Sequence, residues 1–277
     1  MKLRKFTLAV GLAALTGAGA LQIDAASAGQ PSFGGPDYSN TVYSIAIVSG
    51  IDITEGSREG YTGVIGAFNG DLDRSGFLYR ILGSYGSYEY DTIFPGPTPV
   101  SVDGDYLQGD IMLGYQIVSN GVSAAAYIGV DYQDHDLSPD DPGNPLRGSE
   151  TGFKVALDIE TQRYANAPVY AALDGAYSTA FDTYYVLGRL GMNFGKVAIG
   201  PEGMLLGDAS GDAQRLGAFV LFDISFSPES VGTLSLSGGY QFVDNADDPI
   251  GRNYGEEGAY GTLKFTMAFG AGRKPLK

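Results

Sequence analysis

From Leu107 to Ile117 every second residue is apolar or glycine: Leu107, Gly109, Ile111, Leu113, Tyr115 and Ile117. Between them stand Gln108, Asp110, Met112, Gly114 and Gln116. A repeat of two puts these sets on opposite faces of a β-strand, whereas a helix with 3.6 residues per turn would mix them. The turn Ser119-Asn120-Gly121 follows, and Asn-Gly tolerates the positive φ that a tight hairpin demands. The alternation then resumes, with Val122, Ala124, Ala126, Ile128 and Val130 against Ser123, Ala125, Tyr127, Gly129, Asp131 and Gln133. Each arm has about the 9 to 11 residues that a tilted strand needs to cross a bilayer. Strands of soluble sheets usually stop near 5 or 6.

The same pattern predicts ten further strands. Their lipid-facing sets are Tyr43/Ile45/Ile47, Tyr61/Gly63/Ile65, Phe77/Tyr79/Ile81/Gly83/Tyr85, Phe153/Val155/Leu157/Ile159 and Val169/Ala171/Leu173. After them come Tyr184/Val186/Gly188/Leu190/Met192, Val197/Ile199/Leu205, Leu216/Ala218/Val220/Phe222/Ile224, Leu234/Leu236/Gly238/Tyr240/Phe242 and Gly261/Leu263/Phe265/Met267/Phe269. Twelve is an even count, as single-chain bacterial barrels have. Pro201 interrupts the ninth strand and requires a bulge or an unbonded position there.

With the chain starting in the periplasm, the odd-numbered connections face outside, and they include the long ones: Asp91 to Asp103, Asp134 to Gly148 and Asp244 to Glu256. Those near Phe181 and Ala209 are short. The even-numbered connections, at Asn69-Gly70, Ser119 to Gly121, around Asn166, at Gly195-Lys196 and from Pro228 to Val231, are short too. Short periplasmic turns and longer outer loops characterise outer-membrane barrels. The expected fold is therefore an all-β transmembrane antiparallel up-and-down barrel over residues 41–269. The rival is a soluble β-sandwich, whose half-buried strands also alternate.

The first residues carry a different pattern. Met1 to Lys5 is basic, Phe6 to Leu21 mostly apolar, and Ala26-Ser27-Ala28 reads as a cleavage site, so residues 1–28 are expected to be a signal peptide. Residues 29–40 read as an irregular polar lead and 270–277 as a tail. The full chain has 42 glycines, 19 tyrosines, no tryptophan, no cysteine and a formal charge of −15, which becomes −17 without the presequence. Such acidity excludes nucleic acid as a partner class. The lack of cysteine removes disulfides and thiolate metal sites. No cofactor is implied.

On this register Arg80, Asp110, Asp131, Lys154, Asp158, Glu160, Asp174, Arg189, Glu202, Arg215, Asp223 and Lys264 face the lumen. They form either a bracing ion-pair network or the lining of a water-filled passage. The segment Asp131 to Asp141 is the most acidic and holds the only histidine, His135. Asp134, Asp136, Asp140 and Asp141 are candidate Ca²⁺ ligands, but the spacing is not that of an EF-hand and its sixth-position Gly is absent. The segment therefore reads as a solvated outer loop. A hydrolase would need His135 beside a nucleophile, for which Ser138 stands nearby in sequence. No residue is assigned a catalytic role.

Three further stretches join one from Val130 to Pro142 (VDYQDHDLSPDDP): Tyr177 to Tyr184 (YSTAFDTY), Ile199 to Gly203 (IGPEG) and Asp212 to Gly217 (DAQRLG). Together they resemble a family of bacterial cellulose biosynthesis proteins, BcsS. The resemblance covers most of residues 60–269. It implies an exported, non-catalytic outer-membrane accessory of cellulose or related exopolysaccharide synthesis or export, whose partners are cellulose or its synthesis machinery, outer-membrane lipid and, during biogenesis, the barrel assembly machinery. The alternating run Leu263 to Phe269 looks like the terminal signal which that machinery reads. Tyr88, Tyr90, Tyr132, Tyr184, Tyr185 and Tyr254 lie near the predicted outer rim, as glucan-contact candidates or as an interfacial girdle. The alternatives are a general solute porin and an outer-membrane hydrolase using His135.

Overall fold

The computed structural model describes residues 41–93, 98–161, 167–227, 229–243 and 257–272. The expected signal peptide, the irregular lead, Tyr254 and the connection Asp244 to Glu256 lie outside these residues. Twelve antiparallel strands close into one barrel, each bonded to its sequence neighbours, with β1 joined to β12. They are β1 (Thr41–Ile53), β2 (Ser57–Ala67), β3 (Gly76–Thr92), β4 (Val100–Ser119), β5 (Val122–Ser138) and β6 (Gly148–Thr161). The second half comprises β7 (Val169–Ser178), β8 (Tyr184–Phe194), β9 (Val197–Gly207), β10 (Asp212–Ser227), β11 (Ser230–Val243) and β12 (Gly258–Gly272). Closure leaves no sheet edge unpaired, which is the condition a strand protein must meet in hydrocarbon. Among the described residues no helix is long and apolar enough to cross a membrane.

The faces sort as the alternation requires. Leu107, Ile111, Leu113, Ile117, Ile128, Phe153, Leu190, Leu216 and Phe269 are exposed on the outside, while Gln108, Asp110, Asp131, Lys154 and Arg215 are buried within. A soluble sandwich would reverse this, burying the greasy set between two sheets. Two expected faces are corrected. In β2, Tyr61 and Ile65 point inward and are buried, because the interior holds apolar side chains such as Leu78 and Leu82 as well as polar ones. In β1 a register shift between Tyr43 and Ile45 turns Tyr43 inward while Ile45 and Ile47 stay outside.

Pro201 causes no register shift. The β8–β9 ladder runs from Tyr184↔Gly207 to Arg189↔Glu202, then resumes at Met192↔Ile199. The pairs in between, opposite Pro201, are skipped, so the strand carries its proline at an unbonded position. β12 runs to Gly272 and pairs with Thr41, three residues past the expected end of the barrel at 269.

The wall is uneven in height. β3, β4 and β5 have 17, 20 and 17 residues, against 10, 11 and 11 for β7, β8 and β9. Outward positions on the tall side change character partway up. Above Tyr85, Leu107 and Tyr132 they are Ser87, Glu89 and Asp91 on β3, Asp105, Asp103 and Ser101 on β4, and Asp134, Asp136 and Ser138 on β5. The tall strands thus continue beyond the apolar band as an acidic collar. The end carrying this collar is the loop end; the other is the turn end.

Candidate functional site: a barrel interior closed by side chains

Eleven of the twelve charged residues expected to face the lumen are buried on the inner surface, none more than 9% exposed, and Asp223 is half-buried. A water-filled passage would leave its lining wet, so this interior is packed with side chains.

Two ion-pair clusters occupy it. In the first, Lys154 Nζ lies 2.7 Å from Asp110 and 3.9 Å from Asp131. Arg80 sits 4.0 Å from both Asp110 and Asp158, with its guanidinium 4.9 Å from the centre of the Tyr127 ring. Asp158 and Asp174 stand directly opposite one another on β6 and β7. In the second, Arg189 binds Glu202 at 2.8 Å, and Glu202 also accepts from Ser237 and from Tyr260. Arg215 binds Asp52 at 3.0 Å and donates to Gln241, while Thr262 donates to Asp52. Isolated charges in such surroundings would cost several kcal/mol each, which explains why Arg80, Lys154, Arg189 and Arg215 are each matched to a carboxylate. Asp52 was not foreseen, though its place between the outward Ile51 and Ile53 marks it as inward-facing.

Connections close both ends. At the turn end, residues 68–75 fold inward: Leu72 is buried, its N–H donates to the Tyr43 carbonyl, and Gln116 Nε2 donates to the carbonyls of Leu72 and Arg74. At the loop end, residues 179–183 cross the opening. Thr183 and Ala180 are fully buried, and Gln133 Nε2 donates to Thr183 at 3.0 Å and to Asp131 at 2.7 Å. The Phe181 N–H donates to Glu150, and the Ala209 N–H to the Phe181 carbonyl. Phe181 and Asp182 hold φ of 49° and 52°, a left-handed conformation disfavoured for residues with a Cβ.

Under this turn lies an aromatic group. Phe181 meets His135 edge-on at 5.0 Å, and His135 stacks on Tyr106 at 5.7 Å and 21°. Tyr88 is hydrogen-bonded to His135 Nδ1 at 3.0 Å and stacks on Tyr90, whose hydroxyl donates to Asp141. The tyrosines fit because glycines face them: Gly104 is paired with Tyr88 and Gly86 with Tyr106, and a Cβ at either glycine would collide with the ring opposite. This accounts for part of the glycine and tyrosine excess. Among the described residues nine of 16 tyrosines are buried, rather than serving as a belt against lipid.

The acidic segment departs from the expected solvated loop. β5 continues through Ser138, so His135 is a buried interior residue while Ser138 is exposed on the other face, and the two cannot act on one substrate atom. Asp134 and Asp136 point outward, Asp140 pairs with Arg147, and Asp141 is buried beneath Tyr90 and the Gly143 N–H. These four carboxylates do not converge on one point, and among the described residues no cluster of three metal-ligating side chains forms.

Of the rim tyrosines, Tyr88, Tyr90 and Tyr185 are buried inside, so they offer no ring face to the exterior in this closed form. Tyr132 is exposed at the top of the apolar band, and Tyr184 is half-buried with its hydroxyl donating to Asp212. Asp208, in the turn between β9 and β10, was not anticipated. Burial pushes its carboxyl up to about 7, against the opposing pull of hydrogen bonds from Ser210 and the Gly211 N–H.

Solved structures resembling the chain are outer-membrane barrels. The KdgM porin has 10% identity, 81% of this chain and 99% of that chain covered, and a TM-score of 0.36. The transport unit of the autotransporter AIDA-I from Escherichia coli has 7% identity, 88% and 95% coverage and a TM-score of 0.41. A Pseudomonas aeruginosa FadL homologue has 10% identity, 91% and 96% coverage and a TM-score of 0.38. Among curated proteins no sequence relative matches. The profile of the cellulose biosynthesis protein BcsS family matches residues 46–269, spanning every strand from within β1 to within β12. The chain belongs to the cellulose biosynthesis protein BcsS family.

Proposed function

We propose that this protein is a non-catalytic barrel of the bacterial outer membrane, serving cellulose production as a scaffold or export accessory. The loop end faces outward and the turn end faces the periplasm. Family membership supports the pathway. The single observation that carries the mechanical part is the packed, charge-paired interior, which favours a closed element over a standing pore. Outer-membrane lipid surrounds the apolar band, and the barrel assembly machinery inserts it. Partners are then the cellulose chain or the machinery that makes it.

The test is deletion of the protein, with secreted cellulose measured by dye binding and the barrel located by membrane fractionation. Cellulose output falls on deletion and is restored by the full chain. Unchanged output would remove the pathway role. Planar-bilayer recording separates this reading from a solute porin: a large, steady conductance would favour the porin.

A further inference from the structure

Resting on the cellulose reading above, we infer that the aromatic space beneath residues 179–183 is a binding site for a neutral glucan segment, with Phe181 occupying it in the closed form.

The space has the chemistry of a saccharide site. Sugar rings present apolar C–H faces, which lie against aromatic planes, and equatorial hydroxyls, which need acceptors. Tyr88, Tyr106 and His135 supply the planes. Asp208 supplies an acceptor: it is buried, its Oδ2 has no hydrogen-bond partner in the closed form, and it lies near enough to Tyr88 to act on that hydroxyl electrostatically. The ion-pair layer of Lys154, Asp110 and Asp131 closes the floor, so the space is a blind vestibule.

The cover is one short turn, tied to the wall by hydrogen bonds with Gln133, Glu150, Phe153, Tyr177 and Ala209. Two consecutive left-handed residues, Phe181 and Asp182, store strain that opening would release. Such strain persists where the surroundings over-determine it and concentrates at switches and ligand clamps. A glucan ring lying against His135, which itself stacks on Tyr106, would replace the Phe181 ring.

The chain has no tryptophan, so Phe181→Trp introduces a sole indole reporter. In detergent-solubilised full-length protein, titration with cellohexaose is expected to red-shift the indole emission and to saturate. Tyr106→Ala in the same background weakens the apparent affinity by about tenfold or more. In wild-type protein, hydrogen–deuterium exchange at residues 179–183 accelerates with cellohexaose; this reads the same opening if Phe181→Trp does not fold. An emission and exchange pattern indifferent to cellohexaose would overturn the inference, as would a response untouched by Tyr106→Ala. Cellulose output of the deletion strain is scored separately, so loss of output without binding sinks the vestibule alone, and binding with normal output sinks the pathway role alone.

Discussion

Tyr88 and His135 lie 47 residues apart in the chain, yet their side chains are hydrogen-bonded at 3.0 Å inside the loop end of the barrel. The contact joins β3 to β5 across the intervening β4, so it braces the part of the wall that rises above the apolar band. Tyr88→Phe is expected to keep the ring and lose the bond, destabilising the fold by about 1 kcal/mol. Urea unfolding in detergent micelles, followed by electrophoretic mobility, reads the change.

The glycine opposite Tyr88 makes a sharper demand. Gly104→Ala places a methyl group where the ring lies. Overpacking of this kind costs typically 1 to 3 kcal/mol, so roughly that loss is expected, exceeding the loss in Tyr88→Phe. Combining Gly104→Ala with Tyr88→Ala should recover part of it, which a double-mutant cycle measures.

Lys154 is fully buried between Asp110 and Asp131. Lys154→Met leaves Asp131 without its cation and Asp110 with only the 4.0 Å contact to Arg80, and is expected to cost roughly 3 to 5 kcal/mol. Lys154→Met with Asp110→Leu should lie closer to the parent. If the two proved equally damaging, the pair would not be acting as a pair.

Asp208 makes stability depend on pH. Its folded-state carboxyl titrates near 7, above the ordinary carboxylate range, so the folded protein keeps a proton that the unfolded chain has released. This contribution is full below about pH 4, declines as the pH rises and is lost once pH passes about 7. Asp208→Asn should flatten the stability profile between those limits, measured by urea unfolding at stepped pH.

The membrane reading predicts a depth-dependent cost of charge. Ile111 faces out within the apolar band, whereas Asp134 faces out in the collar. Ile111→Arg is expected to cost about 2 to 4 kcal/mol in lipid vesicles and Asp134→Arg about 0 to 1. Equal costs would argue that the band does not sit in hydrocarbon.

All twelve strands were legible because a repeat of two needs only local information. Which face of a strand meets lipid was less legible. Tyr61 and Ile65 look like lipid-facing residues, yet they pack inside against other apolar side chains, and nothing local distinguishes the two fates. The environment of His135 was illegible for another reason: Tyr88, Tyr106 and Phe181 arrive from three separate stretches of chain. One available signal was missed. The outward positions Glu89, Asp91, Asp103, Asp105, Asp134 and Asp136 keep the alternation while changing from greasy to acidic, which marks strands continuing past the bilayer rather than loops.

That change of character also works as a waterline. Sinking the barrel by two residues along β4 would push Asp105 toward hydrocarbon, and raising it would lift Leu107 and Tyr85 into water. With a rise of about 3.3 Å per residue, the resting depth is fixed to within a few ångströms on the tall side. The aromatic group of Tyr88, Tyr106 and His135 is thereby held at the level of the acidic collar, above the apolar band.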